Sequence, residues 1–83
     1  MSAAPGTQTA RAPQVVASAA DLGRIVRSRR RELGFTQLEL AEGSGVGITF
    51  VSNLERGKGS SEIDKALRGA RTLGIDLVAR ERG

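Results

Sequence analysis

Apolar residues recur at helical spacing in four separate blocks, and the polar residues and glycines between them supply the starts and stops. Leu22, Ile25, Val26 and Leu33 share one face of a helix predicted over residues 19–33, opened by Ser18 with Asp21 three positions on and closed by Gly34. Thr36 and Glu39 have capping-box spacing, in which each side chain accepts from the other's backbone amide. They open a short helix that ends near Gly43, with Leu40 and Ala41 inward. The turn Gly43-Ser44-Gly45-Val46-Gly47 leads into a third helix, Ile48 to Glu55. Val51 and Leu54 are its inward pair, and Arg56-Gly57 ends it because glycine takes a left-handed cap at no steric cost. Ser61 and Asp64 form a third capping pair for a helix carrying Ile63, Ala66, Leu67, Ala70 and Leu73 on one face until Gly74. From Ile75 to Arg80 the period changes to two: Ile75, Leu77 and Ala79 alternate with Asp76, Val78 and Arg80, which predicts a short strand.

The pattern divides the chain into a tail over residues 1–17, a domain over 18–74 and a C-terminal strand and tail over 75–83. The first stretch, Met1 to Gln14, is rich in Ala, Thr, Gly and Pro without apolar period and is expected to be disordered. Its one charge, Arg11, is either a minor-groove arm or a solvated side chain. The fold class expected is all-α, four helices with one added strand. A chain of 83 residues buries only about 60% of the surface its unfolded form exposes, so oligomerisation is expected from size alone. A lone strand has no partner within this sequence. Its edge is a template for a second copy across a two-fold axis, which places Ile75, Leu77 and Val78 in a homodimer interface, with Val15 and Val16 available as an outer strand.

Charge and composition narrow the chemistry. Lys and Arg number 13 against nine Asp and Glu, a net charge of +4 that favours an acidic partner. Without Cys or His the chain has no thiolate ligand, no imidazole ligand and no imidazole base, so neither a metal nor a cofactor is expected. Tyr is also absent, and no glycine-rich phosphate loop followed by Lys-Ser/Thr occurs, so no enzyme activity is expected. The glycines at 43, 45 and 47 form a turn and not a nucleotide loop. Only Phe35 and Phe50 are aromatic, too few for base stacking on single strands, which favours duplex DNA. No window approaches the roughly 18 apolar residues of a membrane span and the start lacks a signal-peptide pattern. A cytoplasmic, nucleoid-associated protein is expected.

Two short helices joined by a glycine-containing turn are the sequence image of a helix-turn-helix, whose second helix enters the major groove. Phe35-Thr36-Gln37-Leu38-Glu39-Leu40-Ala41-Glu42, Gly45-Val46 and Val51-Ser52-Asn53-Leu54-Glu55-Arg56-Gly57-Lys58 closely resemble the Xre/Cro-like (lambda-repressor-like) helix-turn-helix family over residues 18 to 74. The Arg-rich first helix with Leu22-Gly23, Phe50 within Thr49-Phe50-Val51-Ser52 and a strand after Gly74 resemble most the HipB-like antitoxins of toxin–antitoxin pairs. A fifth helix usually fills that last position in ordinary Xre-type repressors.

Helix geometry assigns Ile48, Thr49, Ser52 and Asn53 to the outward side of the third helix, where base edges are read. Asn bonds adenine or phosphate, Thr donates or accepts, and Ile48 is either an apolar contact or a partly buried staple. Phe50 is expected to pack. The resemblance implies that Gln37 bonds phosphate and buttresses the third helix, and Gly47 either permits close approach to phosphate or is simply an acceptable N-cap. Residues 36 to 58 carry three acids against Arg56 and Lys58, so the reading helices are not themselves basic. Arg56 and Lys58 flank the third helix, while Arg24, Arg27, Arg29, Arg30 and Arg31 lie in the first, either along phosphates or as a solvated face. Arg30 falls one turn beyond Val26 on the inward side, and it matches the family position whose Arg pairs with the Glu that Glu55 matches, which implies a structural ion pair. Leu38 stands where the family usually has a polar residue, as either a surface leucine or a partner contact.

These readings converge on a sequence-specific regulator that binds a palindromic operator in double-stranded DNA, with recognition helices about 34 Å apart in the dimer. The resemblance implies an autoregulating antitoxin with a HipA-like kinase toxin as partner. Two alternatives stay open: a stand-alone Xre/Cro-type repressor, and an interaction adaptor that keeps the fold without binding DNA.

Overall fold

Each helix begins where a polar side chain or a glycine releases the chain into helical geometry. In the computed structural model, which describes residues 11–58 and 62–83, the helices are α1 Ala19–Glu32, α2 Gln37–Ser44, α3 Ile48–Glu55 and α4 Ile63–Thr72. Ser18 Oγ accepts from the Asp21 amide at 3.1 Å, and the Asp21 carboxylate accepts from the Ala17 amide at 2.9 Å. The α2 box is complete: Glu39 N–H donates to Thr36 Oγ1 at 3.0 Å and Thr36 N–H to Glu39 Oε1 at 2.9 Å. Gly45 ends α2 in the left-handed region at φ 69°, turning the chain so that α3 starts at Ile48 after only Val46 and Gly47.

The core is small and aliphatic. Val26 of α1, Leu40 and Ala41 of α2, Val51 and Leu54 of α3, Ala66 of α4 and Leu73 after it are buried together. Leu22, Val46, Phe50 and Ile75 pack around them. Full burial of a Leu or Val contributes about 1.5–3 kcal/mol, so this cluster is the main stabilising feature of the fold. It sets α3 against both α1 and α2, and α2 against α4. Two polar links close the outside of the bundle. Ser44 Oγ donates to Thr72 Oγ1 at 2.9 Å, and the Thr72 hydroxyl donates to the Arg68 carbonyl at 2.9 Å. Arg29 Nε donates to the Leu73 carbonyl at 3.1 Å, satisfying an acceptor at the C-terminal end of α4.

Several expectations need correction. Residues 75–83 carry no strand, and there is none among the described residues. A strand exists only through its ladder, and the described residues of one copy offer none. Leu33, expected inward, is 41% exposed because it is the C-cap of α1, where Gly34 already turns the chain away. Ile63 is 63% exposed as the first residue of α4, a turn ahead of the core contacts. The N-cap of α4 is Glu62, which makes no side-chain cap but pairs with Lys65 at 2.6 Å; Ser61 lies outside the described residues. So do residues 1–10, the greater part of the expected tail, while 11–17 run without regular structure.

Candidate nucleic-acid interface

The helix-turn-helix comprises α2, the Gly45–Gly47 turn and α3, and the inner side of α3 is held by contacts that leave its outer side open. Val51 and Leu54 are buried, whereas Ile48 and Thr49 are exposed and Ser52 and Asn53 half-exposed, a stripe at i, i+1, i+4 and i+5. An added Cβ on Gly47 would meet nothing within 4 Å, so the approach to the first turn of α3 is open. Gly47 caps that turn without a side chain, and its amides carry the partial positive end of the helix dipole.

Beneath the C-terminal end of α3 lies a buried polar corner. Arg30 of α1 meets Glu55 of α3 in two parallel bonds, Nε to Oε2 at 2.6 Å and Nη2 to Oε1 at 3.0 Å. Their side chains are only 11% and 2% exposed. Arg30 Nη1 also donates to the Phe35 carbonyl at 2.7 Å, and Gln37 Nε2 donates to Glu55 Oε1 at 3.1 Å. One carboxylate thus ties the end of α1, the start of α2 and the end of α3 together. Its hydrogen bond, ahead of the opposing effect of burial, raises the Arg30 pKa further above its ordinary value, so the pair stays ionic on the arginine side. Gln37 is thereby oriented at the first position of α2, with one amide proton still undirected by Glu55.

Two glycines let α1 and α3 approach this closely. A Cβ on Gly23 would overlap the Leu54 carbonyl oxygen and lie 2.8 Å from that of Glu55. Gly57, at φ 74°, would place a Cβ 2.7 Å from the Ala20 Cα. Nothing in the apolar periodicity marks Gly23 as a contact; only its place between Leu22 and Val26, on the buried side of α1, carries that signal.

The remaining residues proposed from sequence divide into groups. Arg56 Nη2 donates to Asn53 Oδ1 at 2.7 Å. Because a guanidinium only donates, the Asn53 amide oxygen must face it, leaving its NH₂ group as the outward function. Lys58 is exposed just beyond the α3 cap, its backbone amide bonded to the Asn53 carbonyl at 3.0 Å. Phe50 is half-buried against the core and lies under the Lys65 ammonium at 5.9 Å. Leu38 is half-exposed on α2. Among the arginines, Arg29 is used on Leu73 and Glu32, Arg24 pairs with Asp21 at 2.9 Å, and Arg11 pairs with Glu32. At the other end, Ile75 is half-buried against the core, while Leu77 and Val78 are exposed and distant in role from α3. Among the described residues no group of His, Cys, Asp and Glu could hold a metal ion, and no helix is long and apolar enough to cross a membrane.

The helix-turn-helix family model HTH_3 matches residues 26–79. An uncharacterized HTH-type transcriptional regulator of Sinorhizobium fredii, y4mF, is 45% identical over 62 residues, covering 72% of this chain and 82% of that protein. Another such regulator, from Methanothermobacter thermautotrophicus, is 46% identical over 54 residues, 65% of this chain and 78% of its own. Among solved structures, HipB in a HipA-HipB-O2-O3 complex superposes with a TM-score of 0.76 at 21% identity, over 86% of this chain and 100% of HipB. The restriction-modification controller protein C.AhdI from Aeromonas hydrophila gives 0.64 at 29% identity, over 70% of this chain and 88% of its own. The chain belongs to the Xre/Cro-like helix-turn-helix family and is a DNA-binding transcriptional regulator, not an enzyme.

Proposed function

We propose that this regulator binds a palindromic operator as a homodimer and serves as the autoregulating antitoxin of a HipBA-like pair, with a HipA-like kinase as its protein partner. The observation that carries the DNA-binding part is the outward stripe of α3, held from behind by the Arg30–Glu55–Gln37 corner. In this reading α3 lies in the major groove. Thr49 and Ser52 bond base edges or phosphate, and Ile48 contacts a thymine methyl. Asn53, its oxygen held by Arg56, donates to an acceptor on a base edge or phosphate. Gln37 uses its second amide proton on phosphate, and Arg56, Lys58 and the α3 amides beyond Gly47 neutralise others.

The dimer is built by residues 75–80. Leu77 and Val78, 38% and 82% exposed, pair with their counterparts across a two-fold axis as an antiparallel ribbon. Val16 and Ile25 border the same groove as Ile75 and Leu77, beside Arg24 and Arg29. Support for the antitoxin role is the likeness to HipB over the whole HipB chain, in complexes that include HipA. The test is co-purification of the tagged protein with the product of its neighbouring gene, followed by titration of the pair onto the duplex upstream of both. A stable complex that binds this duplex more tightly than random DNA is expected; absence of any co-purifying neighbour removes the antitoxin role.

A second reading, the stand-alone repressor, is favoured by higher identity to C.AhdI, 29%, and to the clp gene regulator ClgR of C. glutamicum, 33%. It predicts operator binding with no protein partner. The adaptor reading predicts no DNA binding even at low salt.

A further inference from the structure

The recognition element carries too little positive charge for its task. Between Thr36 and Lys58 three carboxylates face two basic residues, and phosphate neutralisation is what gives duplex binding its affinity. The missing charge stands on α1. Arg24, Arg27 and Arg31 recur at i, i+3 and i+7, a single stripe on the helix surface, and all three are exposed. Among the described residues neither Arg27 nor Arg31 has a carboxylate partner, whereas Arg11, Arg24, Arg29 and Arg30 each have one. Like charges one turn apart destabilise a helix, so the unneutralised pair Arg27 and Arg31 fits a surface that meets an anion.

Its position follows from the contacts already described. Gly23 and Arg30 face the C-terminal end of α3, and Arg27, between them in sequence, lies roughly 40° from the Gly23 direction at about 100° per residue. Ala20, against which Gly57 packs, is one turn before Arg24 and continues the same stripe. The arginines therefore run along the edge of α1 that borders the α3 terminus with Arg56 and Lys58. Arg24, Arg27, Ser28 and Arg31 share one open surface of α1, with the Ser28 hydroxyl as a further donor.

We infer that this stripe is a second phosphate-binding surface, taking the sugar–phosphate backbone of duplex DNA beside the segment read by α3. The inference rests on the DNA-binding reading above and adds a site to it. Arg27 and Arg31 contribute charge without reading sequence, so they strengthen operator and random DNA alike.

The experiment is a salt titration of full-length Arg27→Gln/Arg31→Gln on two duplexes, the upstream fragment and a random one. Each phosphate that is no longer neutralised lowers the slope of log K against log salt by about 0.9, so two should lower it by about 1.8 on both duplexes. A control, Arg71→Gln/Arg82→Gln, removes the same net charge away from the stripe and should leave the slope unchanged. Circular dichroism of the first variant should match the wild type, since neither arginine holds a carboxylate partner. An unchanged slope in the folded stripe variant, or an equal drop in the control, overturns the site while leaving α3 recognition standing. Wild-type protein that binds neither duplex at low salt overturns the underlying reading instead. Loss of a co-purifying acidic protein with DNA affinity intact would assign the stripe to that partner and overturn the inference as well.

Discussion

The corner where α1 meets α3 and the segment that follows α4 make opposite use of the chain. At the corner the charged groups find their partners inside the molecule: Glu55 takes bonds from Arg30 and Gln37, and Gly23 and Gly57 remove the side chains that would hold the helices apart. Beyond Gly74 Ile75 is engaged by its amide bond to the Ala70 carbonyl at 2.9 Å and by packing on the core, while among the described residues Leu77 and Val78 stay exposed. The first region is completed by folding. The second presents an alternating apolar pattern, the surface on which the proposed dimer rests.

The largest effect should come from breaking the corner. Glu55→Ala leaves a nearly buried guanidinium without its carboxylate and should cost about 3–5 kcal/mol. In a domain of this size that lowers Tm by on the order of 20 °C, measured by thermal circular dichroism. Gly23→Ala should follow at about 3 kcal/mol, since the new methyl overlaps backbone carbonyls that cannot move without displacing α3. Either variant keeping the wild-type melting curve would show that α1 does not close on α3 in this way.

Substitutions in the C-terminal segment should behave differently. Leu77→Asp/Val78→Asp should sediment as a monomer while keeping its helical signal, because neither residue belongs to the core. A dimer that survives both charges would place the interface elsewhere, most simply on α4. Truncation after Gly74 is a harsher version, since it also removes Ile75 from the core.

The smallest effect is at the start of α1. The Ala17 amide, then Arg24 and Ser18, hold the Asp21 carboxyl below the usual aspartate range. With the folded value depressed, this group's contribution is full above its ordinary value and is lost as pH falls through the folded one. Helical signal should therefore decline slightly at the acid end of the carboxylate range, and Asp21→Asn should abolish that pH dependence. A variant that titrates like the wild type would assign the decline to another carboxylate, such as Glu32, whose pKa is lowered chiefly by Arg11.

Local signals are readable in the sequence because they act over three or four residues. Ser18, Thr36 and Glu39 set helix starts, and the α3 limits at Ile48 and Glu55 agree with those expected. Links between distant positions leave no periodic trace: Ser44 to Thr72 spans 28 residues and Arg29 to Leu73 spans 44. The Arg30–Glu55 pairing is suggested by family likeness and an inward helical position, whereas the Gln37 and Phe35 bonds that complete it depend on the turn between α1 and α2. Leu33 and Ile63 mislead because hydrophobic pattern ignores where a helix ends. Asn53 and Arg56 lie one turn apart at the end of the same helix, yet an amide's direction is set by its partner and is invisible to residue type alone.

If the outer stripe of α3 reads DNA sequence, as proposed, shortening its side chains should be felt on the operator and not on random DNA. Thr49→Ala/Asn53→Ala leaves the core and the Glu55 corner untouched, so its affinities for the upstream duplex and for random duplex can be compared at one salt concentration. Specific affinity should fall by about 1–3 kcal/mol for each base interaction removed, while random-duplex affinity stays near that of the wild type. Equal losses on the two duplexes, with the fold intact, would contradict it.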